Sequence, residues 1–350
     1  MRLTAWRSEI RLSTEISAAT YTHTQPGRIF LEMEHRGVCG WGEVSPLRET
    51  VGFDPSADDV WRELIDVTMP RFVDLVEREG RAPEWSRIAH LAAPRSTSAW
   101  SWALLEMALL DQYLRQERQS LCDVWGVRAE SVPTITTTSL IDASAPWQPP
   151  TRAARVRVKI NGDTDLNVAL PTLAGWQVPI LLDYNGAARD VAAVVRQLAP
   201  VFEGVDVAAI EQPFPPGDFI RPAELSALVP VRVSMDEGVR NIADLRQISR
   251  YRSASLVCIK PPRVGGLAWS RSMLAQAASL GLAAYVGGFF ESPLARRAHA
   301  LVAATFDVEP SDVAAVATQA PEGVEEEWGI GRRPAPAVAG APTATWTVAI

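Results

Sequence analysis

Beyond residue 132, short apolar runs rich in Val and Ile alternate with stretches of helical period. The runs recur about every 20 to 30 residues, the spacing of a strand followed by a returning helix. The pattern predicts an α/β fold, a (β/α)8-type modified TIM barrel over residues 131–321. The predicted strands are Pro133–Leu140, Ala154–Ile160, Pro179–Asn185, Val207–Pro213, Val231–Gly238, Ser255–Pro261, Leu282–Glu291 and Asp312–Ala320. The predicted helices include Arg189–Phe202, Asn241–Tyr251, Gly266–Leu280 and Pro293–Phe306.

An open, doubly wound sheet is the alternative fold for such a repeat. That fold normally has a glycine-rich phosphate-binding turn after its first strand, and the segment Thr134–Ser139 contains no glycine. We therefore expect the closed barrel.

Residues 1–130 show a different pattern, typical of an α+β unit that precedes the barrel and caps it. Alternating apolar positions and Gly turns predict its strands, and helical periods predict two long helices. The tail, residues 322–350, contains a strand-like segment at its end, and we expect it to pack back on the capping unit. The predicted elements are strands Arg2–Thr14, Arg28–Glu34, Val38–Val44 and Thr343–Ile350, and helices Asp58–Glu77 and Ser98–Gln116.

Composition narrows the class of protein. The formal net charge of −7 argues against a nucleic-acid partner, which requires a basic face. Three cysteines without CxxC spacing predict neither a disulfide framework nor a zinc site. No window approaches the roughly 18 apolar residues of a membrane span, and the N-terminus does not resemble a signal peptide. We expect a cytoplasmic protein without membrane contact, and the sequence leaves its oligomeric state open.

Five consecutive predicted strands end in charged residues, which a barrel brings to one shared mouth. These residues are Lys159, Asp183, Glu211, Asp236 and Lys260, at spacings of 24, 28, 25 and 24 residues. Any one of them alone is more often a turn or capping residue. The ordered set of five is better explained by a site.

The chemistry of this set points to a metal-assisted proton transfer. Three converging carboxylates repel one another unless a cation binds between them, and an all-oxygen site suits Mg²⁺, with Mn²⁺ as a substitute. A nearby metal lowers the pKa of a lysine, which then can act as a base. A metal and a base together remove a proton next to a carboxylate, because the metal stabilises the resulting enediolate. We therefore expect a small carboxylate as substrate.

The same segments resemble the enolase superfamily, in its muconate-lactonising branch, and within it the o-succinylbenzoate synthase and N-acylamino acid racemase group. The likeness covers residues 1 to about 315. The matching segments are Gly40–Val44 (GWGEV), Val156–Ile160 (VRVKI), Leu182–Asn185 (LDYN), Ala209–Pro213 (AIEQP), Met235–Gly238 (MDEG), Ile259–Leu267 (IKPPRVGGL) and Gly287–Glu291 (GGFFE).

The resemblance implies a role for each matching residue. It makes Asp183, Glu211 and Asp236 the metal ligands, Lys159 the base, and Lys260 the lysine across the substrate. It further implies that Asn185 and Glu237 support the ligands, and that cap loops at Ala18–Gly27 and Arg48–Asp54 close the mouth. Residues implied in substrate binding are Arg157, Gly288, Phe289 and Glu291.

Two features depart from the family pattern. Arg157 stands where the family usually has the first lysine of its Lys-x-Lys strand; it keeps the charge but cannot serve as a base at neutral pH. Ser292–Ala295 replaces a more glycine-rich turn, and the chain after Pro321 diverges. Both departures concern the substrate rather than the metal.

The resemblance implies a Mg²⁺-dependent lyase, an o-succinylbenzoate synthase-type dehydratase of menaquinone biosynthesis. The alternative is an isomerase, either an N-acylamino acid racemase or a dipeptide epimerase. The epimerase is less favoured because the eighth strand shows no clear Asp-x-Asp. A non-catalytic paralogue that binds a carboxylate is a third hypothesis, which the five charged strand ends argue against.

Overall fold

The computed structural model describes a curled parallel sheet surrounded by helices and a smaller antiparallel sheet. No helix in the described ranges has both the length and the apolar character that a membrane crossing needs. The described residues are 1–9, 16–17, 22–23, 27–84, 99–140, 149, 153–314, 323–335, 341 and 343–349.

Among the described residues, seven parallel strands form the barrel sheet and follow one another around it in chain order. Their middle residues are mostly Val, Ile, Leu and Ala with little or no exposure, as expected for a sheet covered on both faces. The barrel strands, first to seventh, are Ile135–Ser139, Arg155–Lys159, Ile180–Asp183, Val207–Glu211, Arg232–Met235, Leu256–Ile259 and Ala283–Val286. All seven lie within the segments that the sequence predicts, and the barrel class is confirmed.

The eighth position of the barrel begins earlier in the chain than Asp312–Ala320. Residues 309–312 fill it, bonding to the seventh strand on one side and to the start of the first on the other. Pro310 has no N–H, so this segment cannot form a continuous ladder. Residues 312–314 form no strand, and 315–320 lie outside the described residues. The bonds are Glu309 N to Ala284 O (2.9 Å), Asp312 N to Val286 O (2.9 Å), Ser311 N to Pro133 O (2.8 Å) and Ile135 N to Ser311 O (2.9 Å).

Helices return the chain between the barrel strands, and polar residues fix where several of them begin. Asp190 accepts a hydrogen bond from the backbone N–H of Ala193, and Asn241 forms a reciprocal capping box with Asp244. The helices are Leu166–Gly175, Val191–Leu198, Ile220–Leu228, Ile242–Tyr251, Pro261–Val264, Leu267–Ser279 and Pro293–Ala303, with a 3₁₀ turn at Ala199–Val201.

The antiparallel sheet joins the two ends of the chain. Thr343–Thr347 pairs with Arg2–Glu9, and Arg2–Glu9 pairs with Gly27–His35. Gly27–His35 pairs in turn with Val38–Val44. Short strands lie at Ile16–Ser17, Thr22–His23, Val324–Glu325 and Arg332–Arg333. The helices of this part are Ala57–Glu63, a π-helical turn Leu64–Thr68, Met69–Glu79, Ala99–Gln116 and Leu121–Trp125, with a 3₁₀ turn at Ala129–Ser131.

The glycines of the Gly40-Trp-Gly-Glu motif allow this sheet to lie directly on the helix Ala99–Gln116. A Cβ atom at Gly40 would lie 2.1 Å from the Gln112 backbone nitrogen, and one at Gly42 would lie 2.2 Å from the Leu104 carbonyl oxygen. No side chain fits at either distance.

Two buried glutamates connect the cap to the barrel by accepting backbone N–H groups at helix starts. Glu43 accepts from the N–H groups of Ser292 (2.6 Å) and Ala295 (3.3 Å), where Pro293–Ala303 begins. Glu106 accepts from Leu267 (2.9 Å) and Ala268 (3.0 Å) in the same way. The carboxylates satisfy donors that a helix start leaves without partners.

Replacing Glu106 with alanine is expected to lower the free energy of unfolding by about 1–3 kcal/mol, because two buried N–H groups lose their acceptor. Urea unfolding measures the change. Glu117→Ala, an exposed glutamate just beyond the same helix, is the matched control and is expected to change stability little. Equal effects of the two substitutions would contradict the capping role.

Glu106 also predicts a pH dependence of stability. Burial raises the pKa of its carboxyl from 4.5 to about 7. The native state therefore holds this proton longer than the unfolded state, and stability falls as the pH rises from 4.5 towards 7. Glu106→Gln is expected to remove this contribution to the fall of stability with pH. Urea unfolding of both proteins near pH 4.5 and near pH 7 measures the difference.

Candidate active site

Strand register brings the predicted residues together at the C-terminal mouth of the barrel. Lys159, Asp183 and Glu211 occupy one row, since Lys159 pairs with Asp183 and Asp183 with Glu211. Asp236 and Lys260 directly follow the fifth and sixth strands. Of the five, Asp183 and Glu211 are fully buried, and Asp236 and Lys260 nearly so.

The turns after the third and fourth strands hold unusual backbone conformations that fix the site. Asn185 has φ +45° and Gln212 has φ +36°, in the left-handed region that residues with a side chain seldom adopt. The Gln212 Oε1 accepts hydrogen bonds from the backbone N–H groups of Asp236 (3.0 Å) and Gly238 (3.1 Å). Gln212, in the Glu-Gln-Pro segment, thereby positions the strand end that carries Asp236.

Asp183, Glu211 and Asp236 together form what we call the acidic row, and Lys159 lies on one flank of it. Its Nζ donates to Asp183 Oδ2 (2.5 Å) and to Asn185 Oδ1 (2.9 Å). Asn185 in turn donates from Nδ2 to Glu237 Oε1 (2.9 Å). The two residues expected to support the ligands therefore form a hydrogen-bonded chain that ends at the amine of Lys159.

Lys260 lies on the other flank, against Asp236. Its Nζ donates to Asp236 Oδ2 (2.8 Å), and Arg263 donates to Asp236 Oδ1 (2.7 Å). The Phe289 ring lies over the amine, with its centroid 4.4 Å from Nζ. Lys260 is thus held between a carboxylate and an aromatic face.

Arg157 is buried beneath the acidic row, where its guanidinium contacts two carboxylates and a tyrosine hydroxyl. Its Nε donates to Glu211 Oε2 (2.9 Å), and its two terminal nitrogens donate to Asp312 Oδ2 (2.6 Å) and the Tyr285 hydroxyl (3.4 Å). The guanidinium supplies a fixed positive charge next to Glu211. A role for Arg157 in substrate binding stays a prediction.

The pKa directions follow from burial and charge. Burial raises the pKa of Glu211 to about 8 despite the neighbouring Arg157, and burial together with Asp236 raises that of Glu237 to about 7. Burial alone would lower the pKa of both lysines. The neighbouring carboxylate outweighs burial in each case, so that Asp183 raises the pKa of Lys159 and Asp236 raises that of Lys260 above the ordinary lysine value. Glu211 thus keeps its proton to a higher pH than an ordinary glutamate. Despite its burial, Asp236 has a lowered pKa, because Lys260 and Arg263 lie beside it.

The residues fit a divalent cation. Glu211 Oε1 is buried and has no hydrogen-bond partner among the described residues, which is costly for a carboxylate oxygen unless a proton or a cation binds it. The candidate donors of Asp183, Glu211 and Asp236 are all carboxylate oxygens, the type that Mg²⁺ and Mn²⁺ prefer. Their assignment as ligands stays a prediction.

The remaining predicted residues surround this row to different degrees. Phe289 reaches Lys260, as described, and stacks at a tilt on Trp100 of the cap. Glu291 is buried and bonds within its own loop, accepting from the Phe289 N–H (2.8 Å) and pairing with Arg296 (3.0 Å). Gly288 lies against Arg296. Substrate contacts at Gly288, Phe289 and Glu291 stay predictions.

The two cap loops differ in how much of them is described. In Ala18–Gly27, residues 18–21 and 24–26 lie outside the described residues. In Arg48–Asp54, Asp54 is buried and forms a two-bond ion pair with Arg263 at 2.8 and 2.6 Å. Because Arg263 also contacts Asp236, this cap loop is linked directly to the acidic row.

Sequence reasoning missed Arg263 and Asp54, which lie in segments interpreted as a turn and a loop. It also missed a compositional signal. Of the 34 lysine and arginine residues, only Lys159 and Lys260 are lysines. Because arginine stands at the other 32 of these positions, both lysine amines of the chain lie at one site, which supports a role for amines there.

Gly287 limits the space beside Lys260. A Cβ atom there would lie 2.4 Å from Cys258 Sγ and 2.9 Å from Lys260 Cε. Gly287→Ala is therefore expected to displace the amine, to lower turnover, and to cost about 1–3 kcal/mol of stability by overpacking. Gly175→Ala, whose added Cβ meets nothing within 4 Å beyond its neighbours and its own helix backbone, is the matched control for turnover and unfolding assays. Unchanged turnover in Gly287→Ala would contradict the crowding of Lys260.

The fold and site define a capped barrel with an acidic row between two lysines. Residues 140–324 match the family model described as enolase C-terminal domain-like. The chain belongs to this family and is a member of the enolase superfamily.

Known proteins similar to this chain carry more than one activity name. An o-succinylbenzoate synthase from Enterococcus faecalis is 28% identical over 55% of this chain and 54% of its own length, so the match spans about half of that protein. An L-Ala-D/L-Glu epimerase from Bacteroides thetaiotaomicron is 24% identical over 84% of this chain and 75% of its own length.

The fold also matches a solved structure, a dipeptide epimerase from Cytophaga hutchinsonii in complex with Mg and the dipeptide D-Ala-L-Val. The TM-score is 0.79 at 15% identity, with 99% of each chain covered. This likeness bears on the fold alone.

Proposed function

We propose that the protein is an o-succinylbenzoate synthase-type dehydratase that removes a proton next to a carboxylate, with a role in menaquinone biosynthesis. The observation that carries the proposal is the placement of Lys159 and Lys260 at opposite ends of the Asp183–Glu211–Asp236 row. The similarity to proteins named o-succinylbenzoate synthase supports the choice of substrate.

In this proposal Lys159 takes the proton from the carbon next to the substrate carboxylate. The electrons of the broken C–H bond form a ring double bond, and the hydroxyl on the neighbouring carbon leaves as hydroxide. Lys260, on the other flank, contributes a positive charge and needs no proton transfer. The cap loop held by Asp54 and Arg263 excludes water from the mouth.

In this proposal the ligands of the cation are Asp183, Glu211 and Asp236. Asn185 orients the amine of Lys159, and Glu237 orients Asn185. When bound, Mg²⁺ supplies positive charge to the substrate carboxylate and removes the attraction by which Asp183 keeps Lys159 protonated.

A racemase of N-acylamino acids is the second candidate. The observation that favours it is the same pair of amines, since racemisation needs one proton donor and one acceptor on opposite faces. The similarity to an L-Ala-D/L-Glu epimerase also supports an isomerase. In that reaction Lys260 itself transfers a proton.

One substrate screen separates the candidates. With Mg²⁺, 2-succinyl-6-hydroxy-2,4-cyclohexadiene-1-carboxylate is expected to be converted to o-succinylbenzoate, followed by its ultraviolet absorbance. Each enantiomer of several N-succinyl amino acids is incubated in heavy water in parallel. Deuterium at the α-carbon with racemisation, and no dehydration, would replace the lyase by the isomerase. Neither reaction, together with no bound Mg²⁺ or Mn²⁺, would favour a non-catalytic carboxylate-binding protein.

We also propose that the chain divides into a capping domain, residues 1–130 with the tail 322–350, and a catalytic barrel, residues 131–321. The pairing of Thr343–Thr347 with Arg2–Glu9 supports the place of the tail. The contact of Gly329 and Ile330 with the end of the helix Ala99–Gln116 supports it further.

A further inference from the structure

Cys258 is a buried thiol that the proposed reaction does not use. It lies on the sixth barrel strand, two residues before Lys260, so the two side chains point to the same face of the sheet. It has no exposed surface. Its apolar neighbours in the barrel interior are Ile135, Leu181, Ala209, Leu256 and Tyr285.

Strand register brings this thiol next to two of the carboxylates. Met235 pairs with Val257, so the following residues, Asp236 and Cys258, are neighbours on adjacent strands. One ligand atom each from Cys258, Asp236 and Glu211 lie within 4.8 Å of one another. In the part of the chain that the structure describes, no other three His, Cys, Asp or Glu side chains meet this criterion.

Glu211 gives a second and independent indication of a ligand. One of its oxygens, Oε2, accepts from Arg157, whereas Oε1 is buried without a hydrogen-bond partner among the described residues. A buried carboxylate oxygen in this state is costly unless a proton or a cation binds it. Each Asp236 oxygen accepts one hydrogen bond and has a further lone pair, so it can also bind a cation.

We propose that Cys258, Glu211 and Asp236 form a site for a thiophilic divalent cation such as Zn²⁺. A thiolate with two carboxylates is a donor set that zinc accepts, whereas Mg²⁺ prefers oxygen alone. Zinc bonds are about 2.3 Å to sulfur and about 2.0–2.2 Å to oxygen, so the three side chains draw together slightly on binding. The Cys258 thiol releases its proton to solvent, since the thiolate is the ligand.

This site differs from the all-oxygen set by exchanging Asp183 for Cys258. Because Glu211 and Asp236 belong to both sets, a bound zinc ion excludes the hard cation. Zn²⁺ is therefore expected to inhibit whichever reaction the enzyme performs. The inference concerns the choice of cation and does not rest on the proposed substrate.

The test uses Co²⁺, whose bond to a thiolate produces a strong charge-transfer band in the near ultraviolet. The full chain carrying Cys39→Ser and Cys122→Ser keeps Cys258 as its one thiol, so a thiolate band can only come from Cys258. We expect this variant to show the band with one equivalent of Co²⁺ and to lose it when Zn²⁺ is added. Substrate is absent, so failure of the proposed function does not affect the result.

Two further variants complete the test. Cys258→Ser in the natural background is expected to bind without the band, and Asp236→Asn to lower the Co²⁺ affinity at least about 10-fold. The absence of a thiolate band from the Cys39→Ser, Cys122→Ser chain would overturn the proposal, whether or not Cys258→Ser folds. A band of full strength in Cys258→Ser would also overturn it.

Discussion

Lys159→Ala is expected to reduce turnover by about 10²–10⁴-fold, the usual contribution of a positioned general base. The loss follows from the position of the amine, which is 2.5 Å from Asp183 and 2.9 Å from Asn185 at one end of the acidic row. Steady-state kinetics with Mg²⁺ and the cyclohexadiene carboxylate measure the change, and circular dichroism checks the fold.

Lys159→Arg is the matched variant for this prediction. Arginine keeps the positive charge but does not release a proton near neutral pH, so we expect it to be as inactive as alanine. If Lys159→Arg retained most of the natural turnover, Lys159 would be acting as a charge and not as the base. That result would not change the description of the barrel fold or of the acidic row.

Lys260→Arg is expected to affect the two candidate reactions differently. Dehydration needs only a cation at this position, so its rate is expected to fall less than about 10-fold when arginine keeps the charge. Racemisation needs a proton donor and acceptor there, and its rate is expected to fall by about 10²–10⁴-fold. Deuterium incorporation from heavy water, followed for each enantiomer, reports the second rate.

The control for Lys260→Arg is Lys260→Ala, which removes both the charge and the proton. A racemase rate that survived Lys260→Arg would exclude Lys260 as the second proton-transfer group. If Lys260→Arg and Lys260→Ala lost the dehydration rate equally, the shape of the lysine side chain would matter as well as its charge. Gly287 and Phe289 confine this side chain, so the Gly287→Ala variant tests the same point.

The sequence allowed the barrel and the row of charged residues to be predicted because both depend on local periodicity. Each predicted strand from Ala154–Ile160 to Ser255–Pro261 contains an observed one, and the charged residue at its end follows from that register. The start of the eighth segment was not predictable, because Pro310 interrupts the apolar pattern and the bonds of Ser311 reach strands far away in the chain.

The contacts between the cap and the barrel depend on residues far apart in sequence, and periodicity does not reveal them. Asp54 and Arg263 are separated by 209 residues, and Glu43 and Ser292 by 249. Each pair joins a charged or polar residue to a distant segment, and a single sequence gives no indication of the partner. Arg157 was identified as a departure from the family, but its bonds to Asp312 and Tyr285 also needed the fold.

The scarcity of lysine gives this protein an unusual spectroscopic property. Because Lys159 and Lys260 are its only lysines, protein grown with isotopically labelled lysine carries two labelled side chains, both in the mouth of the barrel. Nuclear magnetic resonance of such a sample would follow each amine separately, without assignment from a crowded spectrum. Binding of a cation or a carboxylate would be observed directly at the two groups that we propose act in the reaction.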